Sequence, residues 1–311
     1  MRILIMGGTR FIGVYLTKLL VDRGHEVVLF NRGNNPPPVA EVKQIHGDRK
    51  DPSQLKEKLA EESFDAIFDN NGRELEHTKP LVEIFKDSVR HFVYISSAGV
   101  YLPSAQMPHR EGDAVDPNSR HKGKHHTEAY LAESGIRWTA IRPTYIYGAQ
   151  NYNDLEAWFF DRIVRNRPLP IPDGGLYITQ FGHVRDLVEA MAAVLDNQQA
   201  VGKIYNVSGD RYVTFNGLAY ACAEAVGKSP DEVKLVHYDS SKIDFGKRKA
   251  FPIRKQHFFA DITLAKHELN WQPHYDLTSG LKDSFQNDYL ASQRDTANID
   301  FSLDEEILRT V

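Results

Sequence analysis

The chain has 311 residues, 41% hydrophobic and 26% charged, with a formal net charge of −4. Such a composition suits one large globular domain or two lobes, and its charge gives no global pull toward nucleic acid or an acidic membrane, so either partner needs a local basic patch. The single cysteine, Cys222, excludes an intrachain disulfide, no signal or transit peptide precedes the first strand, and no apolar run is long enough to span a bilayer; a cytoplasmic protein is expected.

In chain order the first half alternates. Residues 2–6 make a strand-like run, and Gly7-Gly8-Thr9-Arg10-Phe11-Ile12-Gly13 leads from it into an amphipathic segment at 11–22. Strand, glycine turn and helix in this order form the phosphate-cradling opening of a dinucleotide-binding βαβ unit. The glycines let the backbone approach a pyrophosphate, and the helix N-terminus turns N–H groups and a positive dipole end toward it. In the G-x-x-G-x-x-G pattern of such folds the middle glycine falls at Arg10. A side chain therefore stands where phosphates normally meet bare backbone.

Further strands are predicted at 26–31, 42–46, 66–69, 91–96 and 138–142, and helices at 53–62, 78–87 and 120–134. Pro36, Pro37 and Pro38 make a surface loop after the second strand. The alternation predicts an α/β protein with a Rossmann-type doubly wound parallel sheet. Regularity falls after Gly148, where Pro168, Pro170 and Pro172 interrupt the chain, and helices return at 184–195 and 214–226. The expected organisation is a nucleotide-binding lobe at 1–149 and a smaller C-terminal α/β lobe at 150–311, packed on the first, for a substrate or partner.

Six ordered segments resemble the extended short-chain dehydrogenase/reductase family of NAD-dependent epimerases and dehydratases. They are the 7–13 turn, Gly47-Asp48, Val93-Tyr94-Ile95-Ser96-Ser97-Ala98-Gly99-Val100-Tyr101, Arg142-Pro143-Thr144-Tyr145-Ile146-Tyr147-Gly148, His183-Val184-Arg185-Asp186 and Leu269-Asn270-Trp271-Gln272-Pro273. The resemblance implies that Gly7, Thr9, Arg10, Phe11, Ile12 and Gly13 face a dinucleotide's phosphates and that Asp48 faces its adenine. Asn31 and Arg32 stand at the end of the second strand, where an acidic residue would hold the ribose hydroxyls of NAD. Arginine there without the acid favours the 2′-phosphate of NADP. The other reading is a vacated nucleotide cleft, with Arg10 filling the phosphate site or simply solvated.

In that family a serine, a tyrosine and a lysine cooperate, the last two four apart on a helix. The ammonium lowers the phenol's pKa, and the phenolate exchanges a proton during hydride transfer. Matching Tyr-Gly-x-Ser-Lys-x-x-x-Glu puts Lys124 on the lysine, Glu128 on the glutamate and Arg120 on the tyrosine; Ser97 keeps the serine position. A guanidinium stays protonated and cannot act as a general base. Either His121, His125 or Tyr101 substitutes, or the hydride chemistry is lost; loss is the expectation, because turn glycine and tyrosine are both replaced.

These departures, with Thr179-Gln180-Phe181-Gly182-His183-Val184-Arg185-Asp186, resemble the chloroplast stem-loop-binding proteins and their cyanobacterial relatives. Those are atypical family members associated with RNA and credited with divalent-metal-stimulated endonuclease activity. The resemblance implies an RNA partner and, for cleavage, Mg²⁺. Two alternatives stay open: an NADP-linked nucleotide-sugar epimerase, dehydratase or reductase with a substitute base, and a non-catalytic NADP-responsive scaffold. The fold also suits a homodimer.

An RNA site is expected in residues 242–255, where Lys242, Lys247, Arg248, Lys249, Arg254 and Lys255 stand against one acid, Asp244, with Phe245, Phe251, Phe258 and Phe259 interleaved or adjacent. Cations with aromatics suit phosphate contacts and base stacking. The plainer reading is a solvated loop with its phenylalanines in the core. His121, His125 and Glu128 share a helical face at metal-permitting spacing, but Arg120, Lys122 and Lys124 crowd it with positive charge that would instead attract phosphate.

Overall fold

The computed structural model describes residues 1–292 and 298–311. Strands β1 (Arg2–Met6), β2 (Glu26–Asn31), β3 (Lys43–His46), β4 (Ala66–Asp69), β5 (His91–Ile95) and β6 (Trp138–Pro143) alternate with helices α1 (Ile12–Asp22), α2 (Pro52–Leu59), α3 (Leu75–Phe85) and α4 (Lys122–Glu133). With strand Lys203–Val207 they form a seven-stranded sheet, ordered (Lys203–Val207)-β6-β5-β4-β1-β2-β3 and parallel throughout. The central strands are apolar along their length: Ile3, Leu4 and Ile5 of β1 and Phe92 and Val93 of β5 have no exposed surface. Such continuous runs belong to parallel strands covered on both faces. Helix α1 packs on helix Val184–Ala193, and α3 packs against α2 and α4. This is the doubly wound α/β sheet expected.

Two helix starts differ from expectation, for local reasons. α3 begins at Leu75 because Glu74 and His77 form a capping box, and the helix carries Pro80 inside it. α4 begins at Lys122, leaving Arg120 in the preceding turn.

The chain divides into two compact units, and the division is discontinuous. Unit 1 is 1–144, 184–208 and 260–273; unit 2 is 145–183, 209–259 and 274–311. This differs from a single boundary at 149/150. Strand Lys203–Val207 must cross over to pair with β6 in parallel, and its connection carries part of unit 2. The 183–186 motif is split by it: His183 lies in unit 2, while Asp186 in unit 1 takes a hydrogen bond at its carbonyl from Trp271 Nε1 at 3.0 Å.

Unit 2 has a core of Phe159, Phe160, Phe215, Leu218, Cys222, Phe251 and neighbours. Its three-stranded sheet places Ile178–His183 between Tyr212–Thr214 and Tyr145–Tyr147. Cys222 is fully buried, and burial raises its thiol pKa well above the ordinary value, so it behaves as a small hydrophobe. Among the described residues no helix is long and apolar enough to cross a membrane.

Candidate functional site

Strand order reverses between β1 and β4, and ligands of open α/β sheets sit at the carboxyl ends of strands beside such a reversal. The 7–13 turn lies there. Gly7 has φ of +90°, and a Cβ on it would meet Asn71 Nδ2 at 2.6 Å; a Cβ on Gly13 would fall 2.3 Å from the Gly7 carbonyl oxygen. Both positions need glycine. Phe11, the residue before α1, is buried with φ of +38°, and no side chain caps that helix end. Thr9 and Ile12 are half-buried and Arg10 is exposed.

Asn31 Oδ1 accepts the Gly33 N–H at 2.8 Å, while its buried Nδ2 has no hydrogen-bond partner among the described residues. Asn70 Nδ2 reaches the Gly7 carbonyl at 3.4 Å and leaves a buried Oδ1 unpaired. Buried polar atoms are nearly always satisfied. A donor on the last residue of β2 and an acceptor just after β4, together with an uncapped helix end, fit a phosphate-bearing ligand with hydroxyl groups. Arg32 is exposed, and half-buried Asp48 accepts the Lys50 N–H at 3.0 Å.

Arg49, which no sequence motif singled out, organises this end of the sheet. Its guanidinium makes two bonds to Asp69, at 2.6 and 2.9 Å, one to the His77 carbonyl at 2.7 Å and a very short one to Asn71 Oδ1. Asp69 has no exposed surface and also accepts from Thr78 Oγ1 at 2.6 Å and the Gly72 N–H at 3.0 Å. Burial pushes this carboxyl up, but Arg49 and Thr78 outweigh it and hold the pKa below the usual value. The signal was present: Asp69 ends an otherwise apolar inner strand, and a buried carboxylate needs a partner.

The catalytic positions are otherwise engaged. Ser97 Oγ accepts the Gly99 N–H at 3.0 Å, capping a short 3₁₀ turn at Ala98–Val100. Lys124 Nζ donates to the carbonyls of Ile95 and, at 3.3 Å, Gly72, beside the Tyr94 ring. Burial lowers its pKa to about 8, against the pull of Asp69 and Glu128. Arg120 is exposed, and its Nε donates to His121 Nε2 at 3.0 Å. That bond requires an unprotonated Nε2, so this nitrogen of His121 is already engaged as an acceptor. Tyr101 is buried, donates its hydroxyl to Asn206 Oδ1 at 2.7 Å, and burial pushes its pKa up to about 12. That disqualifies it as a ready base near neutral pH.

Glu128 is not a metal ligand in waiting. Arg142 holds its carboxylate from two nitrogens at 2.9 and 2.6 Å, both residues being buried, and His125 Nδ1 stays 3.7 Å away. Among the described residues no three histidine, cysteine or acidic groups gather to hold a metal ion.

In unit 2 the basic segment is surface. Lys242, Lys247, Arg248, Lys249 and Lys255 are exposed and Arg254 half-buried. Lys242 pairs with Asp239 at 3.2 Å, Arg248 with Glu306 at 2.8 Å, and Lys255 bonds Ser240 Oγ at 2.8 Å. Lys247 makes no hydrogen bond or ion pair among the described residues, and Arg254 lies 5.3 Å over the Phe258 ring. The expected interleaving with stacking aromatics is corrected. Phe251 and Phe258 are buried, and Phe245 packs against the small core of Tyr238, Ala250 and Ile307. Only half-buried Phe259 has an exposed partner, Tyr212, a residue outside every motif of the sequence; their ring centroids are 4.5 Å apart.

Comparison with known proteins agrees with the fold. The chain is 48% identical, over 99% of its length and 84% of the relative's, to the chloroplast stem-loop binding protein of 41 kDa b from Arabidopsis thaliana. It is 24% identical to a UDP-glucose 4-epimerase of Corynebacterium glutamicum, over 92% of this chain and 95% of that protein. Its fold matches the crystal structure of UDP-glucose 4-epimerase from Thermotoga maritima, with UDP-glucose, at a TM-score of 0.77 and 22% identity, covering 91% of this chain and 97% of that one. The profile of the NAD dependent epimerase/dehydratase family matches residues 3–208, and the chain belongs to that family.

Proposed function

We propose that this protein binds structured RNA and performs no hydride chemistry. The observation that carries the reading is full-length similarity to a protein named for stem-loop binding. The side chains are consistent with it. Arg120 stands at the tyrosine position of the family motif and turns to His121, Tyr101 is locked to Asn206, and Ser97 and Lys124 are engaged with backbone groups. Binding rests on exposed cations of unit 2, with Lys247, Arg248 and Lys249 at its centre and Lys242, Arg254 and Lys255 beside them. The exposed cations Arg120 and Lys122 of unit 1 offer further phosphate contacts.

A nucleotide is proposed as a second ligand. The 7–13 turn would meet its phosphates, Asn31 and Asn70 its ribose hydroxyls, and Arg32 a 2′-phosphate if the ligand is NADP. The cofactor would supply hydride chemistry in an active relative; here it serves binding alone. Asp69 and Glu128 are held by arginines and are not the carboxylates a Mg²⁺ would use; the proposal is RNA binding. A cytoplasmic setting remains part of the proposal.

Incubation with NADP⁺ or NADPH and a panel of nucleotide sugars is expected to give no steady epimerisation, dehydration or reduction. Steady turnover abolished by Ser97→Ala would overturn this and make the protein a nucleotide-sugar enzyme with a substitute base. Tight NADP binding with neither turnover nor RNA affinity would identify the non-catalytic scaffold instead.

A further inference from the structure

We infer that Tyr212 and Phe259 form a stacking platform for one unpaired nucleobase of a bound RNA; this rests on the RNA-binding reading above. The platform is built by strand register in unit 2. Tyr212 pairs antiparallel with Gln180, and on the other side of the same strand Phe258 bridges Thr179 in parallel, setting Phe259 beside Gln180. Neighbouring positions across adjacent strands project to one face of a sheet. The two aromatic rings therefore emerge on one face from either side of Gln180. Gln180 is itself buried and anchored by its Nε2 donating to the Gly209 carbonyl at 2.8 Å.

The rings are 4.5 Å apart and tilted by 43°, and Tyr212 is 46% exposed. Beside it, Arg211 is exposed and makes no hydrogen bond or ion pair among the described residues. Exposed Asp210 precedes it, so one guanidinium, not a patch, carries the phosphate contact. The exposed part of the Tyr212 ring, beside a cation with no hydrogen bond or ion pair among the described residues, matches a nucleotide, whose base offers a π-face whatever the sequence and whose phosphate needs a cation. A fully paired stem hides its bases in the stack, so the occupant is a loop or flanking nucleotide.

The test uses the full-length protein and a stem-loop RNA carrying 2-aminopurine at single loop positions. The parent should change the emission of at least one loop probe on binding, and Tyr212→Phe, which keeps the ring, should do the same. Tyr212→Ala should lose that change and bind about tenfold or more weakly, with an unaltered salt dependence, since stacking releases no counterions. Equal affinity and an equal emission change for Tyr212→Ala and the parent would overturn the platform while leaving the RNA reading intact. If the parent binds no stem-loop RNA, the RNA reading itself fails and the platform with it. Matching melting temperatures for the parent and both variants separate a lost stack from a lost fold.

Discussion

Arg49→Met is expected to destabilise the protein by about 3–5 kcal/mol, because it strands a fully buried carboxylate. Arg49 is 10% exposed and Asp69 not at all. Methionine keeps much of the stem's packing but returns none of the four guanidinium bonds. The expected fall in melting temperature is on the order of 10 °C. The double variant Arg49→Met, Asp69→Leu should lose clearly less than the sum of the two single changes, since neither partner is then left charged and alone. The same pair sets an acid limit. Asp69 has a folded pKa below the ordinary 3.8. Its contribution is therefore complete above that pH and drains away as pH falls through the lower folded value. Asp69→Asn should flatten that acid-side loss. Urea unfolding of the parent and these variants across the acid range measures both effects; a loss under about 1 kcal/mol for Arg49→Met would show that the network does not hold the turn.

Replacing Lys247, Arg248 and Lys249 together with alanine is expected to cut RNA affinity on the order of tenfold or more, for all sequences alike. Phosphate contacts position a nucleic acid and carry no sequence information. Removing each cation that meets a phosphate should reduce the log–log salt slope by about 0.7 to 0.9. Stability should hardly move. The three side chains are exposed, and the Arg248–Glu306 pair, 51% and 41% exposed, is of the solvent-screened kind that contributes little. Filter binding at several salt concentrations, beside a thermal melt, separates the two quantities. A triple variant with the parent's affinity and slope would move the site off this segment.

The sheet was legible because its strands are nearly continuous apolar runs, and the 7–13 turn because only glycine tolerates what Asn71 and the Gly7 carbonyl impose on it. The strand at Lys203–Val207 was missed, and with it the discontinuous division of the chain into two units. A parallel partner for β6 leaves no local turn signal, since its crossover is some sixty residues long. At the candidate site, the family motif marked Ser97, Lys124 and Arg120 but not their engagements: Lys124 donates to backbone carbonyls of β5 and the β4–α3 turn, Ser97 accepts from the Gly99 N–H, and Arg120 donates to the His121 ring. The Arg49–Asp69 pair joins residues twenty apart and carries no periodicity. In the basic segment, charge was visible but direction was not. Phe251 and Phe258 turn inward because the core of unit 2 needs their area, and the exposed ring came instead from Tyr212, thirty residues before the segment begins.

RNA binding is decided by equilibrium titration of the unaltered protein with a stem-loop RNA from about 50 to 200 mM salt. Measurable affinity is expected throughout, with log Kd rising linearly with log salt at a slope equivalent to several phosphate contacts. No binding even at the lowest salt would contradict it.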